Sequence, residues 1–364
     1  MTTGTLTVRQ LGRATLARQM LLERTSAGVA EAVGRLAGMQ AQEARPPFAG
    51  LWSRVEGFTR GDLHAALHDR AVVRATWLRA TLHLVTADDY LALRPTLLPG
   101  LGDALRVLGK RAEGLEPEKV LPVARELLAE APRTFGELRP LLAERFPEAN
   151  DRALGYATRL LLPLVMVPSD DRWGFPSVAS FTLADEWLGK PVAEDEAREK
   201  LARAYLAAFG PAAAADMQTW AGMKGAKAVL DGLGDELRTF KDERGRVLYD
   251  LPDAPRPDPD TPAPPRFLPE FDNLVLAHDD RARVLPPEAK GLVVTKNLRV
   301  RATFLLDGTA AGTWAVTVKR RTATMTLTPF AKLTKRAVGE LEPEAGALLA
   351  FLEPDATARA IEIA

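Results

Sequence analysis

Gln40 and Gln42 stand where a helix must dissolve. A helix is expected over 27–37, with Val29, Val33, Leu36 and Ala37 at apolar spacing. It runs into Gly38, a residue type that stops helices. Arg45 precedes Pro46, and the residue before a proline is pushed out of the α region. In the extended segment that results, residues i and i+2 face one way, whereas in a helix they point ~200° apart. Two amides on one side of such a segment could hold one water molecule through their carbonyl oxygens. Taken alone, two glutamines at a helix end are better read as capping helix carbonyls and facing solvent.

Few other residues offer chemistry. The chain has no cysteine, which excludes disulfides, thiolate nucleophiles and cysteine zinc sites. Among four histidines, His64 and His68 lie i, i+4 on an expected helix, but no H-E-x-x-H pattern accompanies them. A solvated helix face is the better reading, so no metal and no cofactor is expected. Trp52 and Trp77 could stack on bases, although core packing suits them better.

The positioning elements must come from a chain of 364 residues, 46% hydrophobic and 26% charged, enough for two to four compact units. The opening MTTGTLTVRQ lacks the apolar core of a signal peptide, and no run reaches the ~18 apolar residues of a membrane span. A cytoplasmic protein without membrane contact is expected. Net charge is zero but unevenly spread. Residues 266–336 hold 13 Lys/Arg against 6 Asp/Glu, and residues 337–364 hold 1 against 6. One basic surface on a neutral protein follows.

The sharpest boundary is LPDAPRPDPDTPAPPR at 251–266, in which seven of sixteen residues are proline. Proline fixes φ and lacks the amide donor, so an extended linker is expected. Before it, three stretches share an order of helices and then a hairpin. In the second, helices are expected over 121–130, 135–146 and 152–162, the middle one opened by a Thr134/Glu137 capping box. A hairpin over 165–168 and 172–175 should follow. In the third, helices over 199–209, 212–220 and 224–233 precede a hairpin over 237–241 and 247–251. The first is looser: helices over 8–22 and 27–37, a loop over 40–48, a helix over 60–69, then strands over 71–77 and 82–86. Helices followed by a hairpin is the winged-helix order. After the linker the apolar period becomes two, with Asp307-Gly308 as a hairpin turn, and a helix over 334–352 closes the pattern. The fold class expected is α+β: three tandem winged-helix units at 1–110, 111–190 and 191–252, a linker at 253–266, and a small antiparallel β-barrel-like domain at 267–364.

Several segments carry a resemblance to a known family. They are Leu16-Ala17-Arg18-Gln19, Gly38-Met39-Gln40-Ala41-Gln42, Phe48-Ala49-Gly50-Leu51-Trp52, Arg79-Ala80-Thr81-Leu82-His83, Leu268-Pro269-Glu270-Phe271-Asp272, and Asp307-Gly308 with Gly312-Thr313-Trp314. The chain resembles the AlkZ/AlkX family of bacterial winged-helix DNA glycosylases, which unhook interstrand crosslinks and excise N-alkylpurines. Ala80 stands where glycine is expected. The resemblance covers nearly the whole chain and implies that Gln40 and Gln42, a Gln-apolar-Gln motif, are catalytic. That version of the motif is like the branch named for antibiotic self-resistance. A purine alkylated at N7 or N3 is cationic and leaves as a neutral base, so little acid catalysis is needed. A glutamine carbonyl can aim the attacking water and favour the positive charge developing on the sugar. No lysine sits in an identified site to form a Schiff base, so a monofunctional enzyme is expected.

The implied partner is double-stranded DNA with alkylated or crosslinked purines, bound by a monomer. Candidate DNA contacts are Arg45, Arg74 and Arg79 on the first unit, with His83 beside them. Others are His278, Arg281 and Arg283 in an expected hairpin over 278–283, and Lys319, Arg320 and Arg321 at a hairpin tip. Such charges grip phosphates without reading sequence. A non-enzymatic winged-helix regulator and a protein–protein adaptor are the alternatives.

Overall fold

Strand β1 (Thr2–Leu6) leads into α1 (Val8–Arg18), whose first turn is closed by a Thr7/Gln10 capping box. The computed structural model describes residues 2–295, 297 and 299–364. After α2 (Val29–Arg35), Ala37 and Gly38 adopt φ of 51° and 91°, which turns the chain into the short strand β2 (Met39–Gln40). Glycine suits this corner, because a Cβ on Gly38 would lie 3.1 Å from the Leu84 carbonyl oxygen. Helix α3 (Pro46–Trp52) starts on prolines, whose fixed φ fits a first turn, so the loop expected over 40–48 is shorter than read.

Helix α4 (Arg60–His68) and strands β3 (Val72–Thr76) and β4 (Leu82–Thr86) fall where the pattern puts them. Helix α5 (Ala87–Asp103) is additional; it contains Pro95 and Pro99, which obscure its signal. Helices α6 (Pro117–Glu130), α7 (Phe135–Arg145) and α8 (Asp151–Leu161) follow, with the Thr134/Glu137 box in place. Strand β5 (Leu164–Met166) pairs with β6 (Phe181–Leu183) and not with residues 172–175. Pro176 has no N–H to donate to a ladder, and Trp173 is drawn onto Phe48 at 5.2 Å between ring centres. One five-stranded sheet, ordered β2-β4-β3-β5-β6, therefore joins strands from the first two expected units.

Helices α9 (Ala184–Leu188), α10 (Arg198–Phe209), α11 (Ala214–Ala221) and α12 (Ala226–Gly232) lead to the hairpin β7 (Arg238–Asp242) and β8 (Val247–Asp250). β1 adds to it in parallel, giving a sheet ordered β1-β7-β8. The proline-rich segment is irregular yet tied to α1: Arg13 donates to the Thr261 carbonyl at 2.7 Å and Arg18 to that of Pro255 at 3.2 Å.

Beyond it come β9 (Arg266–Leu268), α13 (Asn273–Leu276), α14 (Lys290–Val293), β10 (Thr303–Leu306), β11 (Thr309–Lys319), β12 (Thr322–Pro329), α15 (Lys335–Leu352) and β13 (Ala358–Ile363). The expected barrel does not close. Among the described residues the sheet is open, ordered β13-β12-β11-β10-β9, and β12–β13 is parallel. The reason is α15. It crosses one face, burying Leu341, Ala345, Leu348, Leu349 and Leu352. A helical crossover returns the chain as a parallel strand. The hairpin expected over 278–283 is absent; those residues form turns between α13 and α14. No helix among the described residues is long and apolar enough to cross a membrane.

Candidate active site

Gln40 lies on β2, opposite His83 of β4. Its side chain is buried, at 9% exposure, and its Oε1 accepts a hydrogen bond from Arg79 Nη2 at 3.0 Å. Arg79 also donates to the Trp220 carbonyl of α11. Burial holds the Arg79 guanidinium down to about 10, with the Arg281 charge adding to the effect, so Arg79 remains a cation at neutral pH. The Gln40 amide is thus fixed by a charge-assisted bond from an anchored arginine. It lines a narrow hollow in which the centre of a water-sized sphere has about 10 Å³ of room, enough to seat one water. Arg54, Glu270, Asp272 and Asn273 complete the walls.

Gln42 is exposed, and its Oε1 accepts from the Leu82 N–H at 3.3 Å. It opens onto a different cavity, so the expectation of one water held between both amides does not match the geometry. The second cavity is a groove of about 680 Å³ shared with Arg45, Arg74, Arg159, Trp173 and Phe175. Arg74 has no acidic partner among the described residues. It donates to the Ala41 carbonyl at 2.9 Å and the Gln42 carbonyl at 3.1 Å, and stacks over Phe175 at 4.9 Å. Burial lowers its pKa to about 10. Arg159 stacks on Tyr156, and its buried Nε has no partner among the described residues. Arg45 lies 3.8 Å from Glu353, a carboxylate shared with Arg172. Such a groove has cations in excess over acids and aromatic faces beside them.

The other candidates divide by burial. Lys319, Arg320 and Arg321 are exposed at the β11–β12 turn, as expected, with Arg320 and Arg321 at φ of 47° and 63°. Arg281 is half-buried, with Nε and Nη1 unpartnered among the described residues. Three assignments are corrected. His83 is 0% exposed, and burial, then the Arg79 charge, push its pKa down to about 3. Its Nδ1 lies 3.2 Å from the Thr81 carbonyl, so the ring is a neutral core group. His278 is buried against the Phe209 carbonyl at 3.0 Å, with its pKa well below the usual range through desolvation. Arg283 is buried and donates to Thr15 Oγ1 and to the Phe209 and Pro211 carbonyls. None of these three is placed to touch DNA. Trp77 is core, 5.5 Å from Tyr90, and Trp52 packs on Phe351 and Arg24.

Sequence reading missed Arg54, Asp272 and Asn273. Arg54 and Asp272 form a buried bidentate pair with both bonds at 2.9 Å, and Asn273 Nδ2 donates to the Gly38 carbonyl at 3.0 Å. These bonds fasten the segment after β9 to the turn after α3 and to the corner before β2. The signal was the 268–272 motif, which carried a resemblance but no assigned chemistry.

An amide fixed at a water-sized hollow, beside a cationic groove, suits hydrolysis on a polyanion. Over residues 33–351 the chain matches the model of the AlkZ-like DNA glycosylases, and it belongs to that family. It is accordingly a DNA glycosylase, a hydrolase of N-glycosyl bonds, which displaces the regulator and adaptor alternatives. An interstrand DNA cross-link repair glycosylase of Streptomyces sahachiroi is 28% identical over 361 residues, spanning 93% of this chain and 94% of that one. The fold is that of Streptomyces sahachiroi DNA glycosylase AlkZ, with a TM-score of 0.81 at 23% identity over 99% of this chain and 100% of that one.

Proposed function

We propose that this enzyme hydrolyses the N-glycosidic bond of purines alkylated at N7 or N3, including bulky and interstrand-crosslinked adducts, without lyase activity. The carrying observation is Gln40, whose amide oxygen is held by Arg79 at a hollow the size of one water. An N7- or N3-alkylated purine is already a good leaving group, so a positioned water and a favourable dipole supply much of the acceleration. Gln42, at the head of the cationic groove, faces the nucleotide. The relative named for interstrand cross-link repair supports the choice of bulky lesions.

Double-stranded DNA lies along Arg45, Arg74 and Arg159, and the Lys319-Arg320-Arg321 tip grips phosphates, with Arg281 a further contact. The stretches 1–110, 111–190 and 191–252 act as winged-helix scaffolds, with 253–266 linking them to the β-rich 267–364. The second unit's last helix, α8, has a buried face of Ala153, Leu154, Ala157 and Leu160, and so offers few side chains to read base edges. That suits an enzyme acting in any sequence context, and a monomer suffices.

The test uses duplexes containing N7-methylguanine or an N7-linked crosslink, read by alkali cleavage at abasic sites. Gln40→Ala and Gln42→Ala should lose turnover and keep DNA affinity. Turnover equal to wild type in both variants removes the catalytic assignment.

A further inference from the structure

We propose that Asn273 and Glu270 complete the water site: Asn273 holds the nucleophile together with Gln40, and Glu270 takes its proton. This rests on the glycosylase reading of Gln40 above. Glutamine cannot accept a proton at working pH, so a hydrolytic site built on it lacks a base, and a carboxylate can supply one.

Leu268-Pro269-Glu270-Phe271-Asp272 runs from β9 to α13, and Pro269, Glu270 and Asp272 wall the hollow. Asp272 is fully committed, to Arg54 and to the Leu274 N–H at 2.9 Å. That pair cancels the Arg54 charge. Asn273 is 5% exposed. Because its Nδ2 donates to the Gly38 carbonyl, its amide orientation is fixed, and its Oδ1 has no partner among the described residues. A buried acceptor beside a water-sized space calls for a donor, and a water is the donor that fits.

Glu270 is half-buried and has no ion pair or hydrogen bond among the described residues. It lines both this hollow and an adjoining groove that runs past Arg299, Arg301 and Trp314. The carboxylate therefore stands where the water site meets a surface suited to a DNA strand. Phe271 beside it has φ of 60°, an uncommon conformation for an aromatic residue that persists where the surroundings fix a turn.

In the reaction a water lone pair forms the bond to C1′ as the C1′–N bond breaks. The electron pair of the broken bond neutralises the cationic purine, which departs as a neutral base. The water's proton passes to the Glu270 carboxylate and then to solvent. Before that transfer the carboxylate's charge favours the developing oxocarbenium ion.

Glu270→Gln is near-isosteric and removes no hydrogen bond or ion pair among the described residues, so it isolates the charge. In single-turnover assays on N7-methylguanine duplex we expect a rate lower by on the order of 10²-fold. DNA affinity and melting temperature should be unchanged, and Glu270→Asp should restore part of the rate. The acid-side fall of the wild-type rate should vanish in Glu270→Gln. Among the described residues, the charged groups around Glu270 are Arg54 (paired with Asp272), Arg299 (paired with Glu43 at 2.8 Å) and Arg301. A wild-type rate and pH profile in Glu270→Gln, while wild type releases base, overturns the proposed base and leaves the glycosylase reading standing. If wild type releases no base from either duplex, that reading falls, and with it the proposal that Glu270 acts as a base. The water site has its own readout. A crystal structure should show ordered solvent touching both Gln40 and Asn273 Oδ1, lost in Asn273→Leu. No solvent there overturns the water site whatever the activity.

Discussion

Arg79→Met removes the cation that fixes the Gln40 amide and keeps most of the side chain's apolar stem. The bond lost is charge-assisted, from Arg79 Nη2 to Gln40 Oε1 at 3.0 Å. Hydrogen bonds to charged groups are worth ~1.5–3 kcal/mol, which corresponds to about 10- to 150-fold in rate if the amide's aim is what catalysis uses. Arg79 also supports the Trp220 carbonyl, so the variant loses stability as well, and rate alone is ambiguous. A double-mutant cycle removes the ambiguity. Single-turnover rates on N7-methylguanine duplex are measured for wild type, Arg79→Met, Gln40→Ala and the double variant, each saturated with DNA. Once Gln40 is gone, removing Arg79 should change the residual rate by only about twofold, the scatter of independent sites. An unchanged rate in Arg79→Met, or full multiplicativity across the cycle, refutes the claim that Arg79 works through Gln40.

Three further outcomes follow from buried groups. His83 and His278 are held neutral, with folded pKa values below that of the unfolded chain, about 3 for His83. The unfolded state therefore binds more protons below pH ~6.5, and stability present above that pH is lost as pH falls towards 3, by up to ~1.4 kcal/mol per pH unit for each group. Urea titrations at about pH 7.5 and about pH 5 should show this loss, and His83→Phe should remove roughly half of it; an unchanged pH dependence contradicts the assignment. Asp250 is wholly buried and holds Arg18 at 2.6 and 2.9 Å as well as Arg256. Asp250→Ala should cost ~3–5 kcal/mol in denaturant unfolding, and adding Arg18→Met should recover much of that; a cost under ~1 kcal/mol counts against an interior pair. Arg79 and Ala80 sit consecutively at φ of 54° and 58°, so Ala80→Gly should stabilise the fold by up to ~1 kcal/mol, and a loss of stability contradicts the strain.

Local chemistry made much of this fold legible in the sequence. A helix start was marked by Thr134 with Glu137, and the Asp307-Gly308 turn by its residue types, because each acts on its own neighbourhood. What escaped reading depends on distant partners. The pairing of β5 with β6 needs the long excursion that Trp173 anchors on Phe48. The parallel return of β13 needs α15 to have crossed the sheet, and nothing near either strand encodes it. The site divides the same way. Gln40 and the break at Gly38 could be read locally, while the fixing of Gln40 by Arg79 could not. The basic residues misled for a related reason. A charge run such as 278–283 suggests solvent, but His278 and Arg283 satisfy backbone carbonyls around Phe209 and Pro211.

The hollow at Gln40 draws its walls from residues 19–54 and 269–273, with Gly38 and Arg54 bonded to Asn273 and Asp272. Both stretches must therefore be synthesised before these walls can meet, so the hollow is a late product of folding. A cut within the proline-rich strap, near exposed Asp260, would place the two sets of walls on separate halves, and each half alone should release no base. Mixing two such halves offers a way to switch base excision on by association.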